Sequence, residues 1–458
     1  MNPVQPGTYT VEVSFAGYQT VRLTGVNIQP NSPTLRDFSL KESSEMLEEV
    51  VIRGDEPPLI DKTKNSKVTT SEDIQNMAVR DVTAVASQAA GVTVDANGNT
   101  NVRGARSEGT VFFIDGVKVR GSVNLPQAAI AQTEVITGGL PAQYGDAIGG
   151  VINTITRGPT GQWFGTAEIL TSYPFQFITN SDNEPLVDGQ NWNLGAFTIG
   201  GPLYKNKETG QSIVGFLFSS EFLYVEEPRP IPNNIPYLEL DENVYNSLRE
   251  TPISLAPSGD VVNFNSEFVT NDDLNPIYRR PNSYNNEMRF SGNVQIKTSR
   301  NTQVTLGGRW VYSNDRQASW ANHIFNYENN GQAIDSDWQA FARFQQTFDN
   351  DPEGNSLIKN AYYNIQVDYS QSYNERLDAR HGRNFFRYGH TGYYDIQRTP
   401  AYVFGTDTTV GLTGYRFVGL VDTAVSYQPG PYNRVRTNYM REFFDLAEEN
   451  DGLTSRTL

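Results

Sequence analysis

Asn286-Glu287-Met288-Arg289-Phe290-Ser291-Gly292-Asn293-Val294-Gln295-Ile296-Lys297 alternates without a break. Its even positions carry Met288, Phe290, Gly292, Val294 and Ile296, and its odd ones Glu287, Arg289, Ser291, Asn293 and Gln295. A period of two marks a β-strand, whose successive side chains leave on opposite faces. Residues 302–313 repeat the pattern, with Val304, Leu306, Gly308, Trp310 and Tyr312 against Gln303, Thr305, Gly307 and Arg309. So do residues 360–370, with Ala361, Tyr363, Ile365, Val367 and Tyr369 against Asn360, Tyr362, Asn364, Gln366 and Asp368. Weaker candidates lie at 162–173, 191–204, 212–225 and 337–349, and 191–204 alternates least cleanly. Strands of about 9–11 residues, apolar on one face and polar on the other, suit a barrel wall between lipid and a wet lumen.

The connections support that reading. They run long at 174–190, short at 205–211, long at 226–284, short at 298–301, long at 314–336, short at 350–357 and long from 373 onward. A transmembrane barrel sorts its connections in this way, because every second one faces the cell exterior. A soluble sandwich has no such reason. The first wall strand then starts on the periplasmic side.

Composition agrees. Among 458 residues there are 24 Tyr, 24 Phe, 39 Gly and 24 Pro, a mix that favours strands and turns over helices. The mean hydropathy of -0.50 fits a wall whose strands are half polar. No apolar run is long enough for a helical membrane span. The net charge of -16 argues against nucleic acid, which needs a basic face. No cysteine is present, so thiolate metal sites and thiol nucleophiles are excluded. His323, His381 and His390 fall in the expected outer loops, show no shared ligand spacing, and read as surface residues. No metal site or cofactor is expected. Without a nucleophile–base pairing, phosphate loop or paired-carboxylate site, the chain is not expected to be an enzyme. No signal peptide precedes the first strand, so a chain incomplete at its N-terminus is expected.

Upstream of the wall lie two further zones. Residues 1–41 contain Gly7-Thr8-Tyr9-Thr10-Val11-Glu12-Val13, a turn at Gly17-Tyr18, then Thr20-Val21-Arg22-Leu23 and a third strand near Leu35 to Leu40. Three short strands read as part of a small β-sandwich. Residues 42–60 hold Leu47-Glu48-Glu49-Val50-Val51-Ile52, an exposed extended segment followed by Pro57-Pro58. Residues 61–159 read as a compact α+β domain. It has a helix over Thr70 to Ala90, capped by Ser71 and ended by Gly91, and short strands at Val92-Thr93-Val94, Asn101-Val102-Arg103-Gly104 and Thr110-Val111-Phe112-Phe113-Ile114. Asp115-Gly116 between apolar runs predicts a two-residue hairpin. Asp95-Ala96-Asn97-Gly98-Asn99 begins like a calcium loop, but its glycine is misplaced, so it reads as a turn.

These residues resemble the TonB-dependent receptors. Asn101-Val102-Arg103-Gly104-Ala105-Arg106 resembles their plug's (I/V)RG strand, and Phe113-Ile114-Asp115-Gly116-Val117 its IDG hairpin. Gly145-Asp146 with Gly149-Gly150-Val151-Ile152-Asn153 resembles the plug's closing motif. Leu47 to Ile52 looks like the TonB box of Bacteroidetes-type receptors, and residues 1–41 are similar to a carboxypeptidase-regulatory-like extension.

The fold expected is therefore mainly β: a sandwich remnant, a small α+β plug, and from residue 160 to 458 a partial transmembrane antiparallel β-barrel. About seven strands are countable, against about 22 in the barrel the resemblance implies. It also implies outer-membrane location, with plug and extension facing the periplasm. Import of a bulky nutrient such as siderophore-iron, cobalamin, a glycan or a peptide would be driven by TonB with ExbB and ExbD. Outer-membrane lipid and a SusD-like surface lipoprotein are further partners it suggests. A non-transporting adhesion or organising role of the Oar type is the alternative. The resemblance also holds the plug in the lumen partly by buried charges paired with the wall; Arg103 is a candidate for such a lock, or else a solvated strand arginine.

Overall fold

The computed structural model describes residues 7–15, 18, 20–28, 38, 40, 65–95, 98–141, 144–145, 147–172, 190–207, 212–230, 236–259, 261–299, 301–348, 361–378, 380–449 and 454–455. The TonB-box-like residues Leu47 to Ile52, and Asp146, lie outside them.

At the N-terminus β1 (Gly7–Val13) and β2 (Val21–Ile28) pair antiparallel. Of the third expected strand, Leu35 to Leu40, only Phe38 and Leu40 are described, and neither is in a strand.

A small α+β unit follows: β3 (Asn65–Thr70), α1 (Ser71–Asn76), α2 (Val82–Ser87), β4 (Val92–Val94), β5 (Thr100–Val102), β6 (Thr110–Ile114), β7 (Val117–Lys118), β8 (Ile130–Gly138) and β9 (Gly150–Thr156). Its main sheet runs β3-β8-β9-β6-β7, with β6 and β9 parallel. Ile74, Val85, Val102, Leu125, Ile130 and Ile152 form the core between helices and sheet. The single helix expected over Thr70 to Ala90 is instead two short ones. Thr70, not Ser71, caps α1 through a reciprocal bond with Asp73, and Asp81 caps α2 by accepting from the Ala84 N–H at 2.7 Å. A second cap inside the run starts a second helix. Between β4 and β5 the Asn99 N–H donates to the Asp95 carboxylate at 2.9 Å; Ala96 and Asn97 of the calcium-loop-like stretch lie outside the described residues.

Asp115 (φ 52) and Gly116 (φ 82) form the tight turn joining β6 to β7, both left-handed as a type I′ hairpin requires. Gly150 is needed for another reason. A Cβ there would lie 2.6 Å from Val102 Cγ1 and 3.0 Å from the Ile136 carbonyl oxygen. Only a residue without a side chain lets β9 pack this closely on β5.

The large sheet has seven strands in chain order, each antiparallel to the next. These are β10 (Phe164–Thr171), β11 (Trp192–Lys205), β12 (Ser212–Val225), then, after the loop strands below, β17 (Asn285–Lys297), β18 (Thr302–Gln317), β19 (Gly331–Phe348) and β20 (Ala361–Asp378). All seven expected strands are present. At the end of 191–204 the β11–β12 register shifts, between Pro202 and Tyr204 and between Tyr204 and Lys205, and a bulge swaps the two faces there. The sheet is inside-out. Along β17 the buried positions are Arg289, Ser291, Asn293 and Gln295. Along β12, β18 and β19 the exposed ones include Phe218, Phe222, Leu306, Trp310 and Trp338. Phe290 and Trp310 stack on the outer face at 5.5 Å. An apolar outer face and a polar inner one are what a wall facing lipid needs.

The long connection 226–284 is itself folded. It holds β13 (Tyr237–Leu240), α3 (Glu242–Glu250), β14 (Ile253–Leu255), β15 (Val261–Phe264) and β16 (Leu274–Ile277), with β13 paired to β16 and β14 to β15. Two of the expected loop lengths change, because β18, β19 and β20 run further than the alternation does. The connections 318–330 and 349–360 become nearly equal. The stretch from 373 onward, expected as an outer loop, is largely regular. Beyond β20 come α4 (Phe385–Gly389), the hairpin β21 (Gly392–Asp407) with β22 (Leu412–Pro429), and α5 (Arg434–Glu449). The hairpin forms its own two-stranded sheet.

The folded connection is held by Glu227, fully buried, which Arg280 grips through Nε at 2.9 Å and Nη2 at 2.5 Å. The Arg229 and Arg280 N–H groups donate to the same carboxylate, at 3.0 Å and 3.1 Å. Burial would raise the Glu227 carboxyl, but Arg280 and these donors outweigh it and hold it below the usual range. A depressed folded value contributes stability above the ordinary 4.5 that is lost as pH falls through it. Acidification below that point should loosen this connection, read as a change in fluorescence of Trp320, which packs on Tyr237. Glu227→Gln should flatten the acid limb of that titration; an unchanged acid transition would show that Glu227 does not control it.

Candidate functional site

The inner face of the large sheet is covered by the small α+β unit, and charged side chains meet across that boundary. Glu221 on β12 is at the centre, its side chain 2% exposed. It accepts from the Gln127 backbone N–H at 2.9 Å, from Arg80 Nη2 at 3.2 Å and from Arg289 Nη1 at 3.2 Å. Arg80 also forks onto Glu168 of β10, at 2.7 Å and 3.2 Å. Arg289 donates through Nε to Glu287 at 2.7 Å, and Asn124 Nδ2 donates to the same oxygen at 2.9 Å. Glu168, Arg80, Glu221, Arg289, Glu287 and Asn124 thus form one chain across three wall strands and two segments of the small unit. Burial alone would lower the Arg80 guanidinium's pKa; Glu168 and Glu221 outweigh it and raise it, so the arginine stays charged.

A second contact lies at the β6–β7 turn. Arg343 of β19 donates through Nη2 to the Asp115 carbonyl and through Nε to Gln366 at 2.8 Å. The Asp115 carboxylate accepts from the Thr156 N–H at 2.9 Å and the Thr156 hydroxyl at 2.7 Å. Burial pushes the Asp115 carboxyl up, against the opposing pull of Arg343 and the Thr156 donors. Elsewhere Ser122 N–H donates to Asp337 at 2.7 Å, and Asn293 donates to the Arg157 carbonyl at 2.8 Å.

The motif residues read from the sequence have unequal roles. Asp115 and Gly116 make the turn that meets the wall. Gly149, Gly150 and buried Asn153 belong to the packing of β9, and Gly145 is exposed in the turn before it. Arg103 meets no wall residue in an ion pair among the described residues. It follows β5 in a left-handed turn (φ 52) with Gly104 (φ 74) and is exposed. Cross-boundary contacts fall instead to Arg80, Glu221, Asp337 and Arg343, which the motifs did not single out. One signal could have found all but Arg80: Glu221, Asp337 and Arg343 sit at the inward parity of their strands, as Arg289 does. The surface reading of the histidines is also corrected for His381, which is 8% exposed.

The family model described as TonB-dependent Receptor Plug Domain matches residues 58–151, which span most of this small unit. Over those residues the chain is similar to a TonB-dependent receptor plug. The iron-regulated outer membrane virulence protein of Vibrio cholerae is 35% identical over 122 residues, covering 23% of this chain and 19% of that protein. The TonB-dependent transporter Oar of Myxococcus xanthus is 26% identical over 229 residues, 44% of this chain and 21% of that protein. The crystal structure of the siderophore receptor PirA from Pseudomonas aeruginosa superposes with a TM-score of 0.42 at 15% identity, over 68% of this chain and 41% of that one. The chain spans 19% and 21% of the length of these two curated relatives.

Removing one member of a buried charge chain strands its partners. Glu221→Ala leaves Arg80 and Arg289 short of a carboxylate and should weaken plug retention by about 3–5 kcal/mol. Denaturant unfolding of the purified protein in detergent would measure it. Arg80→Ala combined with Glu221→Ala should cost less than the sum of the two by about 1 kcal/mol or more. Strict additivity would mean that the pair is not coupled.

Proposed function

We propose that this chain belongs to an energy-coupled importer that passes a bulky solute across the outer membrane. The observation that carries the reading is the inside-out sheet, whose polar face is filled by a plug held through paired charges. On this reading the wall's apolar face meets lipid, the long connections face the exterior, and the plug faces the periplasm. Residues 42–60 link an N-terminal extension to the plug, and Leu47 to Ile52 recruit TonB by adding a strand to its sheet. TonB, with ExbB and ExbD, then draws on the proton gradient to shift the plug and open a path along the polar wall. Solute binds first among the outer connections.

One relative is described as iron-regulated, so an iron chelate is the first solute to test. The Myxococcus relative, whose name stands for the adhesion alternative, is itself described as a transporter. That leaves import as the reading to test.

Deleting Leu47–Ile52 from the full-length protein should abolish uptake of radiolabelled iron chelate by cells while leaving surface binding intact. Undiminished uptake would remove energy coupling through this segment.

A further inference from the structure

The connection 226–284, the 318–330 connection, the turn after β20 and helix α5 converge on one cavity of about 410 Å³. That volume suits a small organic ligand. Its lining has a charge opposite to the chain's. Arg249, Arg380 and Arg436 contribute three guanidinium groups against the single carboxylate of Glu328, in a protein of net charge -16. Glu328 is shared, accepting from Arg249 at 2.8 Å and from Arg380 at 3.5 Å. It therefore neutralises about one of the three. The Arg249 Nε–H is buried and has no acceptor among the described residues. The Arg436 side chain has no hydrogen-bonding partner among them and is exposed.

Much of the apolar lining is aromatic. Tyr245 stacks on Tyr327 with ring centres 5.3 Å apart, and Phe264 stacks on Tyr439 at 5.7 Å. The Arg249 guanidinium lies over the Tyr245 ring at 5.1 Å. Two elements distant in sequence are tied together beside the cavity: the Asn438 amide donates to the Arg249 carbonyl at 2.7 Å, and Arg434 pairs with Glu250 at 2.5 Å. Flat rings beside arginine forks match a solute that is itself planar and anionic. The rings supply stacking area, and the forks supply bidentate hydrogen bonds to a carboxylate.

We infer that this cavity is a binding site for an organic anion that carries a planar ring, with Arg249, Arg380 and Arg436 reading the charge. It deepens the import reading, since it lies among the connections that reading places outside the cell.

The test is isothermal titration of the full-length protein in detergent with naphthoate, naphthamide and inorganic phosphate. Naphthoate should bind, with naphthamide and phosphate each at least about tenfold weaker. Arg380→Ala and Arg436→Ala should each weaken naphthoate by about tenfold, and Arg436→Lys, which keeps the charge and loses the fork, by less. Arg380 and Arg436 are the more open positions, so these variants keep the test sound if Arg249→Ala fails to fold. Absent naphthoate binding, equal binding of naphthamide or phosphate, or unchanged affinity in both alanine variants would overturn the assignment. The two readings fail separately. A flat naphthoate titration with uptake still dependent on Leu47–Ile52 removes this site and leaves coupling; naphthoate binding with uptake indifferent to the deletion does the reverse.

Discussion

Glu221 can be buried only because two arginines and a backbone N–H reach it from different elements. A lone carboxylate taken out of water would cost several kcal/mol. The same constraint governs the whole inner face of the sheet. Arg289, Asn293, Gln295, Arg309, Asp337 and Arg343 are buried there, and no sheet can turn such a face inward without a polar filler. The plug is that filler. Its Arg80, Ser122, Asn124, Gln127 and Asp115 present donors and acceptors where the wall needs them. The apolar face is thereby left outward, as a wall against lipid requires.

Much of this architecture was legible in the sequence, for a local reason. Alternation is written into each strand, and Met288 to Lys297 shows it completely. The strand ends were not legible. The β18–β19 ladder continues to Gln317 and Gly331, and β20 continues to Asp378. There the side chains, such as Asn314, Asp315 and Asp335, are polar on both faces. Once a strand rises beyond the apolar layer, both faces are wet, so the pattern stops while the backbone ladder goes on. The β21–β22 hairpin hides for a different reason. Register shifts at Gln397/Arg398 and Ala401/Tyr402 reset the parity twice within one strand. The helix over Thr70 to Ala90 failed where Asp81 offered a second cap inside an otherwise periodic run.

The candidate site was legible only in part, and the division is again physical. Asp115-Gly116 could be recognised because a I′ turn imposes its demand on two adjacent residues. The cross-boundary pairs impose theirs on residues far apart: Arg80 and Glu221 are separated by 141 positions, and Asp115 and Arg343 by 228. Nothing local marks Arg80 as different from Arg103, yet it is Arg80 that reaches the wall strands described here. The left-handed turn at Arg103 and Gly104 needs the motif's shape, not its charge. Folding of the connection 226–284 was hidden in the same way, since Glu227 meets Arg280 across 53 residues.

The chemistry of this boundary allows a part to be secure yet separable. An apolar interface resists separation because every square ångström exposed to water costs free energy. An interface of paired charges behaves differently. When the two surfaces part and water enters, Arg80 and Glu221 are both rehydrated, and hydration returns most of what their pairing supplied. Deleting either partner while the other stays buried forfeits that compensation, so mutation is costlier than separation. The plug's own core, Ile74, Val85, Leu125, Ile130 and Ile152, is apolar and internal. A force applied at the N-terminal side of β3 therefore meets a stiff core behind a boundary that water can open. Displacement along the wall is the lower-cost response, and the unfolding of that core the higher-cost one.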